Sequence, residues 1–296
     1  MNDSLSNKLK ELRLSGLAET LQVRLHEASG NHLSHLEFLE LILQDELLVR
    51  QDRQLARRVK SAAFRELKSL EDFNWSFNPS IKKSVVYELA TGRFIEQRRD
   101  ALFCAPPGTG KSHLVQGIGY HLLRLGYQVY YRSIFDVVRD LLHDEAMDGH
   151  ERVMSRYLKP DLLIIDDFGM KQLPKRSGEF LFEIVMRRYE TRSTMMTTNR
   201  PLEDWGKLLG DVPTATAILD RFLHHSEIIT FGGQSFRLRN RQETSQPTNS
   251  TRGAKPKTLV SEASKPATDN TAPTGSNVKS KNSKPAKAPT GSAAEK

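Results

Sequence analysis

A glycine-rich turn at residues 105–112 constrains the fold of this chain more than any other segment. The run Ala105-Pro106-Pro107-Gly108-Thr109-Gly110-Lys111-Ser112 follows a short apolar stretch and opens an amphipathic one. Glycines let successive backbone N–H groups turn inward around a phosphate, and the positive end of the following helix points to the same place. The pattern therefore predicts a strand, a phosphate-binding P-loop and a helix, in that order.

The residue types of this loop fit the chemistry of a nucleoside triphosphate. Lys111 supplies a positive charge for the phosphates, and the Ser112 hydroxyl can bind Mg²⁺. Ala105 stands where the usual pattern has a glycine, so it fits if its φ is negative and is strained by about 1 kcal/mol if φ is positive. We expect the nucleotide contacts to come from Pro107, Gly108, Thr109, Gly110, Lys111, Ser112 and His113.

Two carboxylates follow an apolar strand about 55 residues after Lys111. Residues 162–165 are Leu-Leu-Ile-Ile, and Asp166 and Asp167 come directly after them. A strand of this composition is expected in the middle of a sheet, so the acids should emerge beside the P-loop. This Walker B arrangement predicts that Asp166 holds Mg²⁺ through its water shell, while Asp167 orients or deprotonates an attacking water.

Two later residues complete the predicted catalytic set. Asn199 follows a strand at residues 193–198 and could hold the attacking water, with a simple strand-end turn closed by Pro201 as the alternative. Arg221 lies in a helical stretch and could reach the site of a neighbouring subunit to offset charge on the terminal phosphate. The alternative for Arg221 is a local ion pair with Asp220.

The pattern along the chain indicates three parts. Residues 1–72 read as helices without strands and are expected to form a small helical domain for DNA binding or self-association. Residues 73–239 alternate strands and helices, which predicts an α/β domain with a mostly parallel, five-stranded sheet flanked by helices. The predicted strands are residues 101–104, 127–132, 161–166, 193–198 and 227–231.

Charge and composition set the last part apart from the rest. Residues 240–296 are rich in Ser, Thr, Pro, Ala and Lys, and we expect them to form a disordered tail. From Arg241 to the end there are ten basic and four acidic residues, so the tail carries +6 of the chain's net +8. Such a tail could strengthen attraction to nucleic acid or could serve only as a solvated, solubilising segment.

A basic stripe interrupts the nearly neutral remainder of the chain. Between Arg50 and Lys68 there are seven basic and two acidic residues. At helical spacing the cations fall opposite Leu48, Leu55, Val59 and Ala62. The stripe predicts a surface that contacts the phosphate backbone of double-stranded DNA, with a merely solvated face as the alternative. Its members are Arg50, Arg53, Arg57 and Lys60.

Several classes of protein are disfavoured. Cys104 is the only cysteine, so neither a disulfide framework within the chain nor a zinc ribbon is possible. The amino terminus lacks a signal-peptide core, and no apolar run approaches membrane-spanning length. We therefore expect a cytoplasmic protein without a membrane partner.

In this order the motifs resemble AAA+ ATPases, and their details resemble IstB-like ATP-binding proteins of insertion sequences within the DnaC/DnaA-like clade. The likeness covers roughly residues 5–239. It rests on Pro106-Pro107-Gly108-Thr109-Gly110-Lys111-Ser112-His113-Leu114, Leu163-Ile164-Ile165-Asp166-Asp167-Phe168-Gly169, Thr198-Asn199-Arg200-Pro201 with Trp205, Leu219-Asp220-Arg221-Phe222-Leu223-His224-His225, Gly233-Gln234-Ser235-Phe236-Arg237-Leu238 and the helical start Leu9-Lys10-Glu11-Leu12-Arg13-Leu14-Ser15-Gly16-Leu17-Ala18.

The resemblance implies a lidless AAA+ protein that binds ATP and Mg²⁺, assembles into a homo-oligomeric ring, helix or clamp on DNA, and helps an IstA-like transposase to direct insertion. It implies that Lys111 binds phosphate and that Ser112 and Asp166 bind Mg²⁺. It also implies that Asp167 and Asn199 position water and that Arg221 acts in trans. Two alternatives stay open at this point. One is a DnaC-like loader of a replicative helicase, and the other is a P-loop scaffold without useful turnover.

Overall fold

The structure is a computed structural model that describes residues 3–145, 150–174 and 176–237, without the side chains of residues 143–145. The tail expected at residues 240–296 lies outside the described residues. Within the described part, no helix is both long enough and apolar enough to cross a membrane.

Three helices form the amino-terminal part of the chain. They are α1 (Asp3–Glu11), α2 (Ser15–Gly30) and α3 (His35–Ala62). A capping box between Ser34 and Glu37 begins α3, because each side chain accepts a hydrogen bond from the other residue's backbone N–H. A small separate core of Leu9, Leu17, Leu21 and Ile42 joins the three helices.

The second half of α3 packs against the sheet. Leu55 and Val59 lie against the sheet's core, and Ala62 is fully buried within it. The helix ends at Ala63, whose backbone is left-handed with φ 56°. Residues 63–82 then contain neither helix nor strand, yet this segment, which spans the predicted boundary at residue 72, packs on the sheet through Leu70 and Phe73.

A five-stranded sheet forms the centre of the molecule. Its strands lie in the order β2-β3-β4-β1-β5, and every pairing is parallel. The predicted α/β class and the predicted strands are confirmed, with boundaries that differ by two residues at most. The strands are β1 (Asp100–Cys104), β2 (Val129–Ser133), β3 (Leu162–Phe168), β4 (Ser193–Thr198) and β5 (Ser226–Thr230).

Helices cover both faces of the sheet. They are α4 (Lys83–Ala90), α5 (Arg93–Glu96), α6 (Lys111–Leu125), α7 (Ile134–Glu145), α8 (His150–Leu158), α9 (Ser177–Arg188), α10 (Trp205–Leu209) and α11 (Val212–His224), with a 3₁₀ turn at Leu202–Asp204. Beyond β5, residues 231–235 have no regular secondary structure and residues 236–237 are helical. The predicted absence of a lid concerns residues that lie outside the described part of the chain.

The run of apolar residues in β3 follows from its central position. Leu162 and Ile164 point into one core cluster, while Leu163 and Ile165 point into the other. A strand buried on both faces reads as continuous apolar sequence, because alternate side chains enter opposite cores.

The strand order decides where the polar strand ends meet. Because β4 lies between β1 and β3, the residue after β4 is placed between the P-loop that follows β1 and the acids that end β3. The carboxyl ends of parallel strands share one edge of the sheet, where such folds form their sites.

Candidate functional site

A cavity of about 670 Å³ lies at this edge of the sheet. It brings together the P-loop, Asp167 and Asn199, as their spacing along the sequence predicts. Its wall also includes charged residues that the sequence motifs do not indicate, among them the cations Arg65, Lys68 and Arg237 and the acids Glu66 and Asp72.

The P-loop backbone has the conformation that its glycines permit. Gly108 and Gly110 have φ of 79° and 103°, in the left-handed region. A Cβ at Gly108 would lie 2.1 Å from the Ser235 hydroxyl oxygen, so a larger residue does not fit there. Ala105 is not among the residues with positive φ, and its N–H donates to the Thr198 carbonyl at 3.1 Å. Alanine therefore fits at position 105 without left-handed strain.

Lys111 lies folded onto its own loop. Its Nζ donates to the carbonyl oxygens of Ala105 at 2.6 Å and Pro106 at 2.9 Å. Burial lowers the pKa of Lys111, while the nearby charges of Asp166 and Asp167 oppose this effect. The ammonium group thus sits in the turn with only carbonyl partners, which is a suitable position for a phosphate contact.

Two other P-loop side chains have different surroundings. Ser112 lines the cavity at the start of α6, where the helix presents its positive end. His113 also lines the cavity, but its Nε2 lies 2.8 Å from the Ser69 carbonyl, which ties α6 to the segment after α3.

Asp166 is fully buried, and its charge is compensated by hydrogen bonds. The Tyr131 hydroxyl donates to Oδ2 at 2.6 Å, and the Thr197 hydroxyl and the Asp167 N–H donate to Oδ1. Burial, together with the charge of Asp166, raises the pKa of Tyr131 and keeps the phenol protonated. Neither Tyr131 nor Thr197 was recognised from sequence, because a strand pattern does not identify which polar side chain faces a neighbour.

Asp167 faces the cavity in a strained backbone conformation. Its φ is 64°, and aspartate is among the few non-glycine residues that adopt this region. Its Oδ2 accepts a hydrogen bond from Arg65 Nη1 at 3.0 Å. Burial and the negative charge of Asp166 raise the pKa of Asp167, while the positive charge of Arg65 lowers it.

Asn199 is held at the end of β4 by the turn that follows β3. Its N–H donates to the Phe168 carbonyl at 3.2 Å. In the side-chain orientation that satisfies its neighbours, the amide nitrogen donates to the carbonyls of Phe168 at 3.3 Å and Gly169 at 3.0 Å. The side chain lines the cavity together with the P-loop and Asp167.

The oxygen atoms of this site suit Mg²⁺. Magnesium prefers hard oxygen ligands and keeps several of its waters. The Ser112 hydroxyl and the Asp166 carboxylate are such ligands. Both carboxylate oxygens of Asp166 already accept protein hydrogen bonds, which fits a contact through water better than a direct one.

Arg221 lies outside this cavity. It is on α11, pairs with Asp220, and its guanidinium lies 5.8 Å from the ring centre of Tyr189. Its side chain is 46% exposed. Within one chain, the structure therefore does not bring Arg221 to Asp167 and Asn199.

The basic stripe of α3 is exposed but partly engaged within the chain. Arg50 Nε pairs with Glu46 Oε1 at 2.7 Å, and Arg53 contacts Ser15 and pairs with Glu19 at 3.6 Å. Arg57 Nε donates to the Arg53 carbonyl at 3.2 Å. Lys60 is exposed. The four cations share one side of the helix, as their spacing predicts.

Comparison with known proteins places this architecture in one family. The family described as IstB-like ATP binding protein matches residues 7–244. A Geobacillus stearothermophilus protein, named as an ATP-binding protein of insertion sequence IS5376, is 33% identical over 82% of this chain and 96% of its own length. A Pseudomonas aeruginosa protein, named in the same way for insertion sequence IS21, is 32% identical over 82% of this chain and 92% of its own length.

Among solved structures, AMPPCP-bound DnaA from Aquifex aeolicus is similar, with 19% identity and a TM-score of 0.49 over 64% of this chain and 58% of that one. The family match spans the helical start, the sheet and both acidic and glycine-rich motifs, which is most of the chain. The chain therefore belongs to the family of IstB-like ATP binding proteins.

Proposed function

We propose that this protein is an ATP-dependent, DNA-binding AAA+ ATPase that assembles on DNA and assists a transposase in target selection and insertion. The observation that carries the proposal is the cavity in which Lys111, Asp167 and Asn199 meet. The relatives are proteins of insertion sequences, which favours a transposition helper over a loader of a replicative helicase.

In this proposal the nucleotide occupies the cavity with its phosphates against residues 107–113. Lys111 leaves its carbonyl partners for the phosphates, a stronger charge-assisted contact. Bound Mg²⁺, held through Ser112 and Asp166, would offset the phosphate charge. Asp167 and Asn199 orient the attacking water, and Asp167 is the group that can accept its proton.

The position of Arg221 supports action between subunits. The side chain is half-exposed and lies outside its own chain's cavity, so a contact with a terminal phosphate requires a second copy of the protein. A ring, helix or clamp of identical subunits would satisfy this requirement. In the same assembly several copies of the α3 stripe would contact duplex DNA together, and an IstA-like transposase is the proposed partner.

The first prediction concerns Lys111. Lys111→Ala removes the main cation of the loop, so we expect the affinity for a fluorescent ATP analogue to fall by about 100-fold or more. Circular dichroism should show that the variant stays folded. Lys207→Ala is the matched control, because Lys207 is an exposed lysine outside the cavity. Equal affinity of Lys111→Ala and the wild type would reject Lys111 as the phosphate-binding lysine.

The second prediction separates binding from turnover. Arg221→Ala should bind ATP normally, while the rate of hydrolysis falls by about 10³-fold, because the missing guanidinium belongs to the neighbouring site. Arg187→Ala, which removes another partly exposed, ion-paired arginine, should leave turnover unchanged.

A mixing experiment then tests action in trans. Subunits with Arg221→Ala keep Asp167, and subunits with Asp167→Asn keep Arg221, so a hybrid interface regains a complete site. Hydrolysis should recover in mixtures of the two variants and reach a maximum at intermediate ratios. If hydrolysis does not recover at any mixing ratio, the proposed role of Arg221 is contradicted.

The third prediction concerns which residues supply the affinity for DNA. Replacing Arg50, Arg53 and Arg57 by Ala should weaken binding to duplex DNA of any sequence. The slope of log affinity against log salt should flatten by up to about three units, a little under one for each lost phosphate contact. Deletion of residues 241–296 should weaken binding less, because we expect the stripe to supply most of the phosphate contacts.

The internal contacts of Arg50 and Arg53 call for a second variant. Arg57→Ala with Lys60→Ala leaves the pairs with Glu46 and Glu19 intact and should flatten the slope by up to about two units. Lys82→Ala with Arg93→Ala removes two exposed cations elsewhere and is the control. If the stripe variants keep the wild-type affinity and slope while the tail deletion loses both, the stripe is only a solvated face.

A further inference from the structure

Arg65 connects the helical part of the chain to the hydrolytic acid. It follows α3 by three residues, and its Nη1 lies 3.0 Å from Asp167 Oδ2. Its side chain is 55% exposed, whereas that of Asp167 is 24% exposed. Both residues line the same cavity as Lys111. An exposed, long side chain therefore reaches from the end of α3 onto a half-buried carboxylate inside the nucleotide pocket.

The residue before Arg65 contacts Tyr131, which is a hydrogen-bond partner of Asp166. Phe64 packs on Tyr131, with ring centres 5.7 Å apart, and the Tyr131 hydroxyl donates to Asp166 at 2.6 Å. Residue 65 thus contacts one acid of β3 directly, and residue 64 contacts the tyrosine that is bonded to the other. The helix that ends just before them carries the basic stripe, so only a few residues of chain separate the end of that helix from the contacts with the acids.

The ion pair engages the carboxylate that hydrolysis needs. Arg65 holds Oδ2 of Asp167, so a water in the cavity has to compete with the guanidinium for that oxygen. A terminal phosphate offers three oxygens and up to about two negative charges, so it is a better partner for a guanidinium fork than one oxygen of a single carboxylate. The Arg65 side chain is long, largely exposed and part of the same cavity lining, so a phosphate bound there would be a second partner within its surroundings.

On the basis of the proposed function, we propose that Arg65 recognises the terminal phosphate of the nucleotide by binding it. It holds Asp167 while the cavity lacks a triphosphate, and it turns to the terminal phosphate and releases Asp167 when ATP binds. ADP lacks that phosphate, so with ADP the pair between Arg65 and Asp167 persists. Arg65 is therefore a specificity-determining residue that favours ATP over ADP, and the end of α3 is where this difference is sensed.

The test compares the affinities for ATP and ADP by competition against a fluorescent nucleotide analogue. The proteins are the wild type, Arg65→Ala, Arg65→Lys and Arg93→Ala, the last being an exposed arginine that is paired with a glutamate outside the cavity. In Arg65→Ala, the ratio of ATP affinity to ADP affinity should fall by about tenfold, which corresponds to the loss of one charge-assisted contact. The affinity for ADP should stay within about twofold of the wild type. Arg65→Lys, which keeps the charge without the fork, should lie between, and Arg93→Ala should match the wild type.

The contrary outcomes are distinct from one another. An unchanged ratio in Arg65→Ala overturns the inference and leaves the proposed function intact. An equal loss of ATP and ADP affinity also overturns it, because Arg65 would then act only through the shape of the pocket. A wild-type protein that binds neither nucleotide overturns the proposed function itself, and this inference with it.

Discussion

The buried carboxylate of Asp166 accepts hydrogen bonds from three neighbouring strands. Its hydrogen bonds come from Tyr131 on β2, from the backbone at the end of β3 and from Thr197 on β4. A buried charge without partners would cost several kcal/mol, so the strands cannot change register without losing this compensation. The cavity, the P-loop beside it and the turn that holds Asn199 all depend on this alignment.

Much of this arrangement follows from the sequence, for physical reasons that particular residues make clear. The apolar run 162–165 has to lie inside a sheet, and a parallel sheet puts its strand ends at one edge. The glycines at 108 and 110 are required by left-handed backbone, which the structure has. Whether alanine is tolerated at position 105 depends on its φ, which no sequence pattern provides. The structure shows that this φ is not positive, so alanine fits.

Other features arise from contacts that local patterns do not encode. Arg65 and Asp167 are 102 residues apart in sequence, so only the docking of the end of α3 on the sheet brings them together. Arg237 also lines the cavity, and it is supplied by the segment that follows β5. Periodicity places Arg50 and Arg53 on one side of α3, yet it does not reveal that Glu46 and Glu19 already pair with them. The stripe's share in DNA binding therefore stays a prediction.

The central claim is that the cavity at the sheet edge holds the triphosphate. Backbone hydrogen exchange with and without ATP and Mg²⁺ tests it most directly, because a bound phosphate engages the N–H groups of the loop. The account predicts slower exchange at residues 108–113 and at 65–68, with residues 15–30 unchanged. Unchanged exchange in the loop at saturating nucleotide, or protection confined to another part of the chain, would contradict it.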